Sequence, residues 1–168
     1  MRTLEVTAEV AVPIRTAYDQ WTRFESFPRF MSTVREVEQV RPAVTRWLIG
    51  LGPVTREFHA EILEQEPDSH ISWRSWDRRL RHAGTVSFTP VDPQRTLVTI
   101  AVRCATWTGP GVVTLPLVRR TLAAELEHFR VFIEGVGDAG ETWRGTIHDG
   151  RLKHLKNQPP TVPGWQHG

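Results

Sequence analysis

The chain of 168 residues is poor in several things: one cysteine, two methionines, one tyrosine, and lysine only at Lys153 and Lys156. With Cys104 alone, no intrachain disulfide is possible, which fits a reducing compartment and makes the cytoplasm the expected location. Cys104 lies in an apolar strand pattern and reads as a small buried hydrophobe, not as a nucleophile. No apolar run approaches the roughly 18 residues that a membrane-crossing helix needs. Met1-Arg2-Thr3-Leu4-Glu5 is not followed by the apolar core of a secretory signal. Phosphate-loop, dinucleotide, zinc-protease and esterase motifs are missing, so those chemistries lack their signatures.

Charge of one sign is also scarce. Twenty-one basic residues stand against 19 acidic ones, a net charge of +2, and no basic block of five or six residues occurs. With neither a basic stripe nor an aromatic stacking motif, no nucleic-acid partner is expected. Arg78-Arg79-Leu80-Arg81 is the densest basic cluster. It falls where a hairpin turn is expected and reads as a solvated turn, with phosphate or anionic-lipid contact as the second reading, so contact with a membrane surface stays open.

What the chain does have is seven tryptophans and seven phenylalanines, enough to build a core in one domain despite an apolar content of 39%. In Thr3 to Val12, Leu4, Val6, Ala8, Val10 and Val12 alternate with polar residues, the pattern of a half-buried strand. Pro13 stops it and opens a short helix with Ile14, Ala17, Tyr18 and Trp21 on one face. Phe24, Phe27 and Phe30 continue that face through a second short turn or helix around Pro28. Six strand-like runs follow: 33–40, 44–51, 54–64, 70–76, 82–89 and 95–106, separated by Pro- and Gly-bearing turns. After Gly109-Pro110-Gly111 comes one long helix, roughly Val113 to Glu134. Its stripe is Val118, Leu122, Leu126, Phe129 and Ile133, with Arg119, Arg120, Glu125, Glu127 and Arg130 assigned to other faces. From Asp138 to Gly168, Gly, Pro, His, Asn and Gln dominate, and this part is expected to be a tail, mobile or only loosely docked. Trp143 and Trp165 are apolar exceptions within it, placed to pack back on the domain or onto a partner.

The expected fold class is therefore α+β: an antiparallel curved sheet of about seven strands wrapped around a long C-terminal helix, with two short helices after the first strand. Residues 1–137 form the domain and 138–168 the tail. A sheet that grips one helix leaves a cavity.

The ordered set of segments resembles a known family. It comprises Val12-Pro13-Ile14, Trp21 through Met31 with Phe27-Pro28-Arg29-Phe30, Glu61-Ile62 with Pro67-Asp68, and Ile71-Ser72-Trp73-Arg74-Ser75. It continues with Gly84-Thr85-Val86-Ser87-Phe88, Arg95-Thr96-Leu97-Val98-Thr99, Gly109-Pro110-Gly111, and Leu126-Glu127-His128-Phe129 running into Phe132-Ile133-Glu134. Over about residues 3 to 135 the chain is similar to the START-like helix-grip superfamily (the SRPBCC group), in its polyketide cyclase/dehydrase and coenzyme Q-binding branch. That resemblance implies binding of a lipid, quinone or aromatic polyketide between sheet and helix. Some such proteins cyclise or dehydrate poly-β-ketone chains and others only bind and deliver, and fold alone does not choose between them.

On this fold the expected lining is Trp47, Ile49, Phe58, Trp73, Phe88, Val98 and Ile100 from the sheet, with Phe27 and Phe30 from the short helices. Trp107, Val113 and Leu117 are expected near the mouth or the helix start. Arg74 joins them as a polar contact if a bulge turns it inward, since it alternates with Trp73. The side chains of acid–base type are Arg46, His59, Arg74, Ser75 and Tyr18; no catalytic residue stands out. Glu57, His59 and Glu61 share one strand face, read as solvated and not as metal ligands. No cofactor is implied and no oligomeric state is indicated. The expected function is carriage or chaperoning of a hydrophobic or aromatic small molecule. The alternatives are an aromatic polyketide cyclase/dehydratase and an interaction module acting through the tail.

Overall fold

Alternation sets the first element. In β1 (Arg2–Val10), Leu4, Val6 and Val10 are buried while Thr3, Glu5 and Thr7 face solvent. The computed structural model describes residues 2–51, 53–77, 81–104, 115–136 and 143–153. Pro13 caps α1 (Ile14–Trp21), whose Ala17, Tyr18 and Trp21 turn inward. A 310 helix (Phe24–Arg29) follows, with Pro28 inside it and Phe24 and Phe27 buried.

The six central strands are β2 (Val34–Arg41), β3 (Val44–Leu51), β4 (Val54–Glu66), β5 (His70–Ser75), β6 (His82–Asp92) and β7 (Arg95–Cys104). They pair in the order β1-β7-β6-β5-β4-β3-β2, antiparallel throughout. The long helix α2 (Leu115–Val136) lies across the concave face with Leu126, Phe129 and Ile133 almost fully buried. This is the helix-grip architecture.

α2 runs alongside β1 in the same direction. Arg119 Nη1 donates to the Glu5 carbonyl at 3.2 Å, and the Ala11 N–H donates to Glu134 Oε2 at 2.9 Å near the other end. The strand register brings the start of β1, the end of β7 and the start of β6 to one rim, through Arg2↔Cys104 and His82↔Cys104. The first half of α2 lies toward that rim.

Within the stretch expected to be a mobile or loosely docked tail, the described residues 143–153 hold a docked hairpin. β8 (Thr146–His148) and β9 (Arg151–Lys153) form a hairpin, and β8 pairs with β4. Its turn is Asp149-Gly150, with φ of 51° and 72°, the left-handed pair that a two-residue hairpin requires. Ile147 is fully buried, and Trp143 and Leu152 pack against the core. Arg144 forms ion pairs with Asp19 of α1 and, at 2.6 Å, with Asp68. Trp165 lies outside the described residues, as does most of the Arg78–Arg81 cluster.

Candidate functional site

The interior divides into two halves along α2. In the C-terminal half, aromatic rings fill the space edge to face. Trp21 meets Phe129 at 4.9 Å and Phe88 at 6.2 Å, and Tyr18 meets Phe88 at 5.5 Å. In the half toward the rim lies a cavity of about 210 Å³.

The short helices, the strands β2 to β7 and α2 all contribute to its wall. Trp21, Phe24 and Phe27 close it from the short helices. β3 and β4 bring Trp47, Ile49, Phe58 and Ile62, with the Trp47 and Phe58 rings parallel and 6.1 Å apart. β5 brings Ile71 and Trp73, and β7 brings Ile100, Val102 and Cys104. α2 supplies Val118, Thr121, Leu122 and Glu125. Trp73 lies flat on the sheet because its cross-strand partner is Gly84: a Cβ there would stand 2.5 Å from the indole.

Among the described residues the polar groups of this wall are few, and Glu125 is the chief one. It is 2% exposed. Ser32 Oγ donates to Oε1 at 3.0 Å, while the Thr33 N–H and Oγ1 donate to Oε2 at 3.1 and 3.0 Å. His128 Nδ1 lies 3.0 Å from Oε1 and its ring is half exposed, so it joins the buried carboxyl to solvent. Thr45 is buried and engaged: its Oγ1 accepts from Trp47 Nε1 at 2.7 Å. His82 stands edge-on to Phe58, 4.9 Å between centroids. Cys104 is buried, and burial pushes its thiol pKa up, so it stays protonated and inert.

Of the residues expected from the sequence to line the cavity, the structure brings together Phe27, Trp47, Ile49, Phe58, Trp73 and Ile100. Phe30, Phe88 and Val98 do point inward, but into the packed half. Phe30 lies 5.3 Å from Phe129 and 5.0 Å from Phe132, and Val98 pairs across from Phe88. Arg74 faces outward, because Trp73 takes the inward place; its guanidinium pairs with Glu61 at 2.7 Å. Leu117 is 46% exposed on the outer face of α2. Trp107 and Val113 lie outside the described residues.

None of the acid–base types singled out in the sequence lines the cavity. Arg46 binds Glu36, Glu38 and Glu57 on the outer face. His59 stacks on the exposed Trp76 there, while Glu57 pairs with Arg46 and Glu61 with Arg74. Ser75 is buried at the end of β5, with Oγ accepting the His82 N–H at 3.4 Å. Tyr18 is fully buried; burial pushes its phenol pKa up, more than Gln65 and Arg144 pull it down.

Sequence reading missed Glu125 and His82. For Glu125 a signal was present: it follows Leu122 by three and precedes Phe129 by four, so it stands inside the apolar stripe and not beside it. For His82, position at a strand start carried no such signal. A further group, Glu64, His148 and Asp149, gathers its ligand atoms within 4.8 Å, but on the surface of the C-terminal hairpin and apart from the cavity.

Comparison with known proteins agrees with this architecture. Residues 10–130 match the family model described as "Polyketide cyclase / dehydrase and lipid transport". An uncharacterised 17.2 kDa protein of Streptomyces lincolnensis, encoded in the melC2-rnhH intergenic region, is 38% identical over 153 residues, covering 88% of this chain and 99% of that one. The solved START superfamily protein of Mycobacterium smegmatis is 19% identical with a TM-score of 0.65, over 79% of this chain and 94% of that one. The Zhui aromatase/cyclase of Streptomyces sp. R1128 is 17% identical with a TM-score of 0.58, over 80% and 89%. At these identities the two structures share a fold with this chain.

Proposed function

The chain belongs to the polyketide cyclase/dehydrase and lipid-transport family, with its START-like helix-grip fold, and from that membership we propose that it binds a hydrophobic or aromatic small molecule in the cavity beneath the first half of α2. The class is polyketide, lipid or quinone, and the role is that of a carrier or chaperone. The observation that carries this reading is the cavity itself: about 210 Å³ walled by Trp, Phe, Ile and Val, with few polar groups. It is larger than the ~150 Å³ apolar cavity known to take up benzene, and such a wall with a few convergent polar groups is what an apolar ligand needs. We place this activity in the cytoplasm, on the single buried thiol; no helix among the described residues is long and apolar enough to cross a membrane.

A second reading, cyclisation or dehydration of an aromatic polyketide, draws on one observation: Glu125, Thr33, Thr121 and His82 all border the cavity. A carboxyl and an imidazole are the types that move protons next to carbonyls. Native mass spectrometry on protein purified gently from its own host, followed by solvent extraction, tests the first reading. A copurifying quinone, lipid or polyketide supports it. Protein that is empty and takes up no hydrophobic compound contradicts it. Replacing Glu125 and His82 without change in the product distribution of a polyketide synthase mixture removes the second.

A further inference from the structure

We infer that the cavity selects its ligand by charge: it takes neutral apolar molecules that end in a hydrogen-bond donor, such as a phenol or enol hydroxyl, and rejects carboxylates of the same shape. This rests on the cavity being the binding site and specifies what that site accepts.

The argument starts from the sign of the groups on the wall. Glu125 is an acidic side chain bordering the cavity, and among the described residues no Lys or Arg lies on the wall to balance it. The basic residues flanking it in sequence point elsewhere. Arg119 reaches the β1 backbone, and Arg130 pairs with Glu127 and Glu134 on the outside of α2. His128 contacts Glu125 but sits half exposed, outside the lining.

The donors that hold Glu125 suit an acceptor. Two hydroxyls and a backbone N–H converge on it from Ser32 and Thr33 at 3.0–3.1 Å. A carboxylate accepts only, and with these donors and His128 on its two oxygens Glu125 turns negative potential, not a free acceptor, toward whatever enters. Thr33 also borders the cavity, and a hydroxyl that donates to Glu125 offers its own lone pairs to a guest. A phenol or enol O–H meets both needs.

An anionic guest meets the opposite. It must leave water with no Lys or Arg among the described wall residues to pair with, and two like charges about 6 Å apart at an effective dielectric of about 20 weaken binding by roughly a hundredfold. Free fatty acids and aromatic acids are therefore excluded, although the apolar wall would suit their bodies.

The test uses two probes of one shape, 2-naphthol and 2-naphthoate, titrated into the full chain at pH 7 by calorimetry. The expected result is that 2-naphthol binds at least ~10-fold more tightly, and that Glu125→Gln brings the ratio toward one while the far-UV spectrum is unchanged. If Glu125→Gln does not fold, Thr121→Lys, which adds an ammonium one turn away, is expected to narrow the ratio instead. Equal or tighter binding of 2-naphthoate overturns the charge selection and leaves the apolar site standing. A ratio unmoved by the substitutions overturns the assignment to Glu125. Failure of both probes to bind overturns the binding cavity and the inference with it.

Discussion

Ser32 Oγ donates to Glu125 Oε1 across 3.0 Å, joining residues 93 positions apart and tying the turn before β2 to the middle of α2. With the two bonds from Thr33, it fixes the helix against the sheet at the cavity's edge. Glu125→Ala leaves these donors without their acceptor. The expected loss is about 2 kcal/mol, a fall in Tm of about 4–8 °C for a chain of this size. Calorimetry of the two proteins checks it, and an unchanged Tm contradicts the tie.

The clasp of Arg144 on Asp19 has a pH signature. The Asp19 side chain is 4% exposed, and burial raises its pKa from the ordinary Asp range more than the Arg144 charge and hydrogen bond lower it. An acid whose folded pKa is raised contributes most below the ordinary range, and that contribution falls as pH climbs through the range to the folded value. The stability of the wild type relative to Asp19→Asn should therefore decline with rising pH across that acid window. Urea melts at a series of pH values read this; a relative stability that grows with pH contradicts it. Arg144→Ala leaves Asp19 buried without its partner and should cost about 3 kcal/mol, at the low end for a buried pair because Arg144 is 21% exposed.

Gly84→Ala places a methyl 2.5 Å from the Trp73 ring and 3.0 Å from the Ala101 carbonyl. The sheet backbone cannot yield, so the indole must lift into the cavity. Binding of a hydrophobic fluorescent probe should weaken at least ~10-fold, in line with the roughly 1–3 kcal/mol that overpacking costs, while the strand content by circular dichroism stays the same. Undiminished binding would place the probe elsewhere.

Cys104 both borders the cavity and is buried, with its thiol pKa raised by that burial. Native protein at pH 7.5 should react with iodoacetamide far more slowly than unfolded protein, and a ligand in the cavity should slow it further. Mass spectrometry of timed samples gives both rates. Fast labelling that ligand does not slow counts against the placement of this residue.

The grip itself was legible from alternation and spacing, from Leu4-Val6-Val10 in β1 to the stripe of α2. Which half of the grip is hollow was not. Period-two alternation says that Phe58, Phe88 and Val98 all face inward. It does not say how far along the strand the aromatic cluster of Trp21, Phe88 and Phe129 ends and the cavity begins. Arg74 and Trp73 were a choice between neighbours that cross-strand partners settle: Gly84 makes room for the indole, and Glu61 meets the guanidinium. Glu125 was passed over because an acid on a helix is usually solvated, though its spacing put it in line with Leu122 and Phe129. The C-terminal hairpin hid in a Gly- and Pro-rich segment whose Asp149-Gly150 turn and buried Ile147 are short, local signals.

The most direct test of the binding cavity is a methyl NMR titration with 2-naphthol, with the isoleucines assigned. Ile49, Ile62, Ile71 and Ile100 border the cavity, whereas Ile133 and Ile147 are fully buried outside it. The account predicts saturable shifts at the first four and little change at the other two. No shifts, or shifts spread equally over all six, would contradict it.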